Sequence, residues 1–306
     1  MTMRVPNLMN NSQSLLDLQR IKQEYAGTAL QVSSGKAIVN LGDDPAGTAQ
    51  IMNDQTSISR NADYLAAGNT AAAQMQSSSE VLTTMGLHLD RLLELGQEGL
   101  GGTATADSQA GIATEVDALR TDLISLGNTQ ASGKYIFAGT KTTTVPFVDG
   151  PGPDATTVTY NGNDGIIKME LSPSVTVATN IPGSALFFGP GGQGSATDLL
   201  AQTAALRDGL LNNDREQVQT AYSNLQTISS RLNVSVADLG DRENGVAALD
   251  NGLTTYNQNL TNQQSTISSV DYPKAITQLN EDSVAQQATL NTVAKTNAKT
   301  LFDYIV

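Results

Sequence analysis

A periodic apolar strip near the C-terminus constrains this chain most. Leu225, Ile228, Leu232, Leu239, Val246, Leu249, Leu253, Tyr256, Leu260, Ile267 and Val270 recur at three- and four-residue spacing, and only Ser235, Arg242 and Gln263 interrupt the series with polar side chains. Alternating three-four spacing is the signature of a coiled-coil seam. Leu211, Val218 and Ala221 extend the register backward. A helix this long cannot bury its stripe alone and needs a partner segment. The N-terminal half supplies one, through Ile51, Ile58, Leu65, Ala72, Met75, Leu82, Leu89, Leu93 and Leu100. A shorter helix is predicted on Ile112, Val116, Leu119, Leu123 and Leu126.

Beyond these helices the period changes to short β-branched and aromatic runs between Gly and Pro, predicting an inserted lobe over residues 132–197. Its strand candidates are 135–138, 158–160, 166–171, 175–178 and 186–188, with Ile166 and Phe187 as core residues. The expected fold is mainly α: a long antiparallel coiled-coil stalk formed by the N- and C-terminal halves, carrying a small β-rich domain. The expected divisions are 1–44 (axial segment and turn), 45–131 (stalk), 132–197 (lobe), 198–270 (stalk) and 271–306 (axial segment). Gly68, Gly86, Gly96 and Gly252 lie inside the stalk helices. Each costs about 1 kcal/mol against alanine, so packing must supply the stability.

The net charge of −13 narrows the partners. Its 17 Lys and Arg residues are scattered without a cluster, so nucleic acid and anionic membrane surfaces are poor partners. The absence of cysteine makes the chain indifferent to redox compartment. The first residues carry no apolar core of a signal peptide, and no segment reaches the length of a membrane span, so if the protein leaves the cell it is expected to do so without a cleaved signal.

The two ends are amphipathic but weaker. Leu8, Leu15, Leu18, Tyr25, Ala29 and Val32 form one seam; Ile276, Leu279, Leu290, Val293, Leu301 and Ile305 are spread through a polar tail. Such segments are expected to be marginal alone and to pair with each other and with neighbouring subunits on assembly. Leu15, Leu18, Leu30, Leu290, Val293, Leu301 and Ile305 are the expected buried axial core. Between the first segment and the stalk, residues 33–47 read as a helix stop and restart. Gly35 suits the positive φ of a C-terminal cap, and Asp44 suits an N-cap followed by Pro45. Two adjacent carboxylates, Asp43 and Asp44, could also ligate a metal, but without a third ligand capping explains them better.

Enzymatic readings fail on context. Residues 189–194, Gly-Pro-Gly-Gly-Gln-Gly, match a dinucleotide fingerprint by letter, yet the second parallel strand is missing, and a flexible linker is expected instead. There is no thiol, and the single histidine, His88, sits among leucines on a helix face. No catalytic residue, cofactor or metal is expected. Sequons at Asn10, Asn233 and Asn259 fall in predicted helices and are read as chance matches.

Residues Ser33 to Gly47 resemble the Ser-Ser-Gly-Lys/Arg-X-Ile-Asn…Asp-Asp-Pro-Ala-Gly signature of bacterial flagellins and their relatives. Residues 133–142, Gly-Lys-Tyr-Ile-Phe-Ala-Gly-Thr-Lys-Thr, with Pro146-Phe147 and the ending 283–304, resemble the hook-filament junction branch of that family. Ala37 stands where the family usually has Arg, and Gly42 where Ser is common. The resemblance implies a structural subunit of the bacterial flagellum. It would be exported unfolded by the flagellar type III apparatus, joining hook to filament outside the cell. Its implied partners are further copies of itself, flagellin, the preceding hook-associated protein and a cytoplasmic export chaperone that holds the C-terminal region. The expected assembly residues are Leu8, Leu15, Leu18, Tyr25, Leu30, Ser34, Gly35, Lys36, Ile38, Asn40, Asp43, Asp44 and Pro45, with Leu279, Leu290, Val293, Leu301, Phe302, Tyr304 and Ile305. The alternative is a filament-forming flagellin; an unrelated coiled-coil adhesin would not carry three such motifs.

Overall fold

The computed structural model describes residues 4–101, 105–150 and 157–302, with side chains from residue 12 to residue 295 inside those ranges. Among the described residues there are six α-helices: α1 (Arg4–Ser34), α2 (Pro45–Gly99), α3 (Ala106–Gly127), α4 (Leu199–Leu211), α5 (Arg215–Ser268) and α6 (Tyr272–Phe302). Between α3 and α4 the described residues form six short strands. The chain forms two compact units, one of residues 1–60 with 255–306 and one of residues 61–254. Helices α2 and α5 each contribute a part to both. The mainly helical fold with a small β-rich insertion is the one the periodicity predicts.

In the second unit α2 and α5 run antiparallel. Gly68 faces Asp250, Gly86 faces Leu232 and Gly96 faces Tyr222, so rising numbers on one helix meet falling numbers on the other. The predicted seam is the core: Met75, Leu82 and Leu89 from α2 and Leu225, Ile228, Leu232 and Leu239 from α5 are buried. Ile112, Val116 and Leu123 of α3 and Leu206 and Leu210 of α4 complete it. Gly96 shows why glycine is worth its helix penalty here. A Cβ there would stand 3.0 Å from the Tyr222 ring, so the missing side chain lets the helices approach. Two predicted seam residues are exposed. Leu211 is 57% exposed because the seam is not continuous there: α4 ends at Leu211 and α5 starts at Arg215. Tyr256, in the first unit, is 51% exposed, as suits a phenol that keeps its polar tip in water.

Helix starts are chemically marked. Thr105 and Ser108 form a reciprocal capping box on α3, and Asp214 Oδ1 accepts from the N–H groups of Glu216 and Gln217 at the start of α5. Asp198 caps α4, accepting from Leu200 and Ala201.

The lobe is built from three antiparallel hairpins: β1 (Gln130–Ala131) with β2 (Lys134–Tyr135), β3 (Phe147–Asp149) with β4 (Val158–Tyr160), and β5 (Lys168–Ser172) with β6 (Val175–Ala178). The two-residue turn of the first hairpin, Ser132-Gly133, has both φ angles positive (51° and 75°), the conformation whose twist matches the flanking strands. Strands 158–160 and 175–178 lie where predicted. Residues 186–188 do not form a strand: Ser184–Phe188 is one π-helical turn. Alternation along a strand would have turned one of Leu186, Phe187 and Phe188 outward, whereas the turn buries all three. Ile166 is 44% exposed and precedes β5, so the core pairing of Ile166 with Phe187 does not hold. The core is instead aromatic. Phe147 stacks at 4.3 Å from Phe187 and 5.1 Å from Tyr160, and four of the five phenylalanines meet here.

One arginine fastens the lobe to a helix and a second ties two helices together. Arg120 of α3, 3% exposed in its side chain, forms a two-pronged ion pair with Asp149 of β3 (3.1 and 2.7 Å). Arg207 of α4 donates to Asp117 of α3 at 2.8 Å. The glycine-rich segment 189–194 is not the free linker predicted. Gly191 N–H donates to Thr197 Oγ1, Gly194 N–H to Asp198 Oδ2 and Gln193 Nε2 to the Val158 carbonyl. The Asp198 carboxylate occupies the N-terminus of α4, the place a bound phosphate would need. Burial raises its pKa, outweighing the three backbone N–H groups that lower it.

Candidate assembly interface

The first unit contains the expected assembly residues. Helices α1 and α6 pair antiparallel, since Thr28 meets Asp282 and Gly35 meets Tyr272. On α6 the covered positions Ala275, Leu279, Asp282, Gln286, Thr289 and Val293 follow each other at four-three spacing, and on α1 Ser14, Leu18, Ile21, Tyr25, Thr28 and Val32 do the same. Each seam is half polar. Asp282 is buried within it, accepting from Thr28 Oγ1 at 3.0 Å and from Gln278 Nε2 at 2.9 Å.

This seam redistributes the predicted axial core. Val293 is buried and Leu18, Tyr25 and Leu279 are half-buried. Leu15, Leu30 and Leu290 are 49%, 52% and 44% exposed, so within one chain they are not core. The cause is angular. Leu15 and Leu30 lie beside the covered heptad positions rather than on them, and a two-helix pair covers only one narrow stripe of each member. Leu16, Ile276 and Val284 join them as exposed apolar side chains on the same two helices. The side chains of Leu8, Leu301 and Phe302, and the whole of Tyr304 and Ile305, lie outside the described residues.

The turn between α1 and α2 is tied to the turn between α5 and α6. Ala37 N–H donates to the Ser268 carbonyl (2.7 Å), Val270 N–H to the Gly35 carbonyl (3.0 Å), and Lys36 pairs with Ser269 as a single antiparallel bridge. Gly35 has φ of +70° and lies under Tyr272, whose hydroxyl would be 2.9 Å from an added Cβ. It is therefore a left-handed C-cap with no room for a side chain. Gln31 Nε2 closes the turn on the Ala37 carbonyl at 2.8 Å, and Ser34 Oγ accepts from Lys36 N–H.

Both aspartates are used locally. Asp43 Oδ2 accepts from Asn40 N–H (2.7 Å) and Val39 N–H (2.9 Å), which lowers its pKa. Asp44 Oδ1 accepts from Ala46 and Gly47 N–H, with Pro45 as the first residue of α2. Capping is what these carboxylates do. Among the described residues no three His, Asp or Glu side chains are placed to hold a metal ion. Ile38 is half-buried, while Asn40 and Leu41 are exposed, Leu41 at 73%. Among the described residues no helix is long and apolar enough to cross a membrane.

Sequence reasoning missed Thr28, Gln31, Ser268, Tyr272 and Asp282. The signal for Asp282 was available, because it occupies the heptad position between Leu279 and Gln286.

Residues 5–142 match the bacterial flagellin N-terminal helical region. Over 320 aligned residues the chain is 26% identical to flagellar hook-associated protein 3 of Escherichia coli K12, covering 98% of this chain and 99% of that protein. It is 24% identical to the Salmonella typhimurium protein of the same name over 319 residues, again covering 98% and 99%. The fold is shared with the flagellar junction protein FlgL of Legionella pneumophila, at a TM-score of 0.59 and 14% identity, covering 72% of this chain and all of that one. The likeness first suggested by the turn motif and the lobe motif therefore holds from end to end: the chain resembles flagellar hook-associated protein 3 and carries a flagellin-type N-terminal helical region.

Proposed function

We propose that this protein is a structural, non-enzymatic subunit of the bacterial flagellum that joins the hook to the flagellin filament. One observation carries the reading beyond the resemblance. The α1–α6 pair leaves Leu15, Leu16, Leu30, Ile276, Val284 and Leu290 exposed, an apolar surface that further helices would cover on assembly. In this reading residues 1–44 and 271–306 are the axial segments, residues 45–131 and 198–270 the supporting helices and residues 132–197 an outward lobe. The chain travels unfolded through the type III apparatus. Its assembled neighbours are copies of itself, flagellin and the preceding hook-associated protein. Before export a chaperone holds roughly the last forty residues in a groove; unchanged chaperone affinity after deletion of residues 270–306 would exclude that mode.

The match of residues 5–142 to the flagellin region keeps a filament subunit as the second reading. Disruption of the gene separates the two. Hooks without filaments, with flagellin released into the medium, are expected of a junction protein. Intact filaments lacking only this chain would overturn the proposal.

A further inference from the structure

Three Asn-Gly pairs occur in the chain, at 161–162, 244–245 and 251–252, and their surroundings differ sharply. The latter two lie inside α5, where the glycine N–H is committed to a helical hydrogen bond and the asparagine backbone is held in the helical conformation. Asn161-Gly162 lies in the extended loop after β4. Asn161 is exposed, and among the described residues neither its side-chain amide nor the Gly162 N–H has a hydrogen-bond partner. Two residues on, Asn163 is the opposite case: its side chain accepts from Thr140 and Gly165 and donates to Thr140 Oγ1.

A further contact bears on reactivity. The Lys141 ammonium approaches the Asn161 carbonyl oxygen at 3.5 Å, and that carbonyl belongs to the peptide bond whose nitrogen is Gly162 N. Loss of the proton from that nitrogen spreads negative charge onto this oxygen, and a facing cation stabilises it. The absence of a Cβ at Gly162 leaves the nitrogen open to the neighbouring side chain; a Cβ there would also strike the Tyr160 ring.

We propose that Asn161-Gly162 is a self-modifying site of the folded protein, activated by Lys141. The deprotonated Gly162 nitrogen attacks Asn161 Cγ, the new C–N bond closes a five-membered succinimide, and the Cγ–Nδ2 bond breaks with release of ammonia. Water then opens either carbonyl of the ring, giving aspartate or isoaspartate at position 161. Each product adds a negative charge to the loop. The isoaspartyl product also routes the main chain through the side chain, lengthening a loop in which Asn161 N–H is held by the Pro146 carbonyl at 2.8 Å and Tyr160 OH by the Phe137 carbonyl at 2.9 Å.

The test is incubation of the folded full-length protein at mildly alkaline pH, followed by peptide mapping by mass spectrometry and by enzymatic methylation of isoaspartate. Position 161 is expected to convert more than about tenfold faster than Asn244 and Asn251, whose helical N–H groups must first open. In denaturant the three sites are expected to react at similar rates. Lys141→Met should slow position 161 and leave Asn244 unchanged, while Lys141→Arg should retain most of the rate. No conversion at 161 in the folded chain, or conversion equal to that of the helical sites, overturns the proposal. An unchanged rate in Lys141→Met overturns the role of the lysine.

Discussion

The Arg120–Asp149 pair supports an asymmetric prediction, because its partners are buried unequally. The arginine side chain is 3% exposed and the aspartate 41%. Among the described residues Arg120 Nε is buried with no partner, and the two bonds to Asp149 are the guanidinium's charge compensation. Asp149→Ala leaves that charge in a dry site. Removing one partner of a buried pair costs about 3–5 kcal/mol. Arg120→Met keeps the apolar stem and frees a carboxylate that water already reaches, for an expected loss of about 0–1 kcal/mol. The double variant should fall within about 1 kcal/mol of Arg120→Met, because no charge is left stranded. Urea unfolding followed by near-ultraviolet circular dichroism reads the aromatic cluster beside the pair, where Phe147 is two residues from Asp149. Equal losses in the two single variants would refute the argument, since they would mean that water or relaxation solvates Arg120 as easily as Asp149.

Other predictions concern the helices. Asp250 faces Gly68, its Oδ1 buried and without a hydrogen-bond partner among the described residues, and burial raises its pKa. The folded form therefore binds its proton more tightly than the unfolded chain, so this site's contribution to stability rises as pH falls through the raised pKa and levels off below the unfolded value. Asp250→Asn should stabilise the protein by up to about 1 kcal/mol at neutral pH, with a gain that shrinks in acid; a gain that grows in acid would contradict the assignment. Asp282→Leu should raise the melting temperature of the α1–α6 pair, yet allow its register to slip, visible as altered cross-linking between cysteines placed on the two helices away from Thr28, Gln278 and Asp282. Unaltered register would show that Thr28–Asp282 does not set it. Leu290→Asp should leave the circular dichroism of the lobe unchanged while abolishing incorporation into flagella; normal incorporation would remove the α6 face from the assembly surface.

Much of this fold is legible in the sequence, because a seam sustained for many turns has few alternative ways to be buried. Leu225 to Leu239 and Met75 to Leu89 fall where their spacing puts them, and Asp44-Pro45 marks a helix start by chemistry that needs no tertiary context. The lobe is less legible. Three consecutive apolar residues at 186–188 fit a buried strand or a helical turn equally well by period, and the choice is made by Phe137 and Phe147, which arrive from elsewhere in the chain. The glycine-rich segment misled for a related reason. Gly, Pro and Gln carry no local demand for order, and the order comes from Thr197, Asp198 and the Val158 carbonyl. At the chain ends the apolar residues were visible but their angular positions were not. A break of one residue in register separates Leu15, exposed, from Ser14, covered.

The half-polar character of the α1–α6 seam bears on how such a pair could serve assembly. An all-leucine seam would draw every apolar residue of both helices toward one another and let them slide among registers of similar energy. A buried carboxylate satisfied at one setting penalises the others by the cost of leaving it unpaired, about 1–3 kcal/mol for a hydrogen-bonding group and more when charged. Thr28 and Gln278 satisfy Asp282 in the observed setting. With the register held by hydrogen bonds, Leu15, Leu30, Val284 and Leu290 are not needed to hold the two helices together. They are left on the outside, where their burial becomes available to a third helix. Under the proposed function, a subunit organised this way keeps a share of its hydrophobic gain for the moment when its neighbours are present.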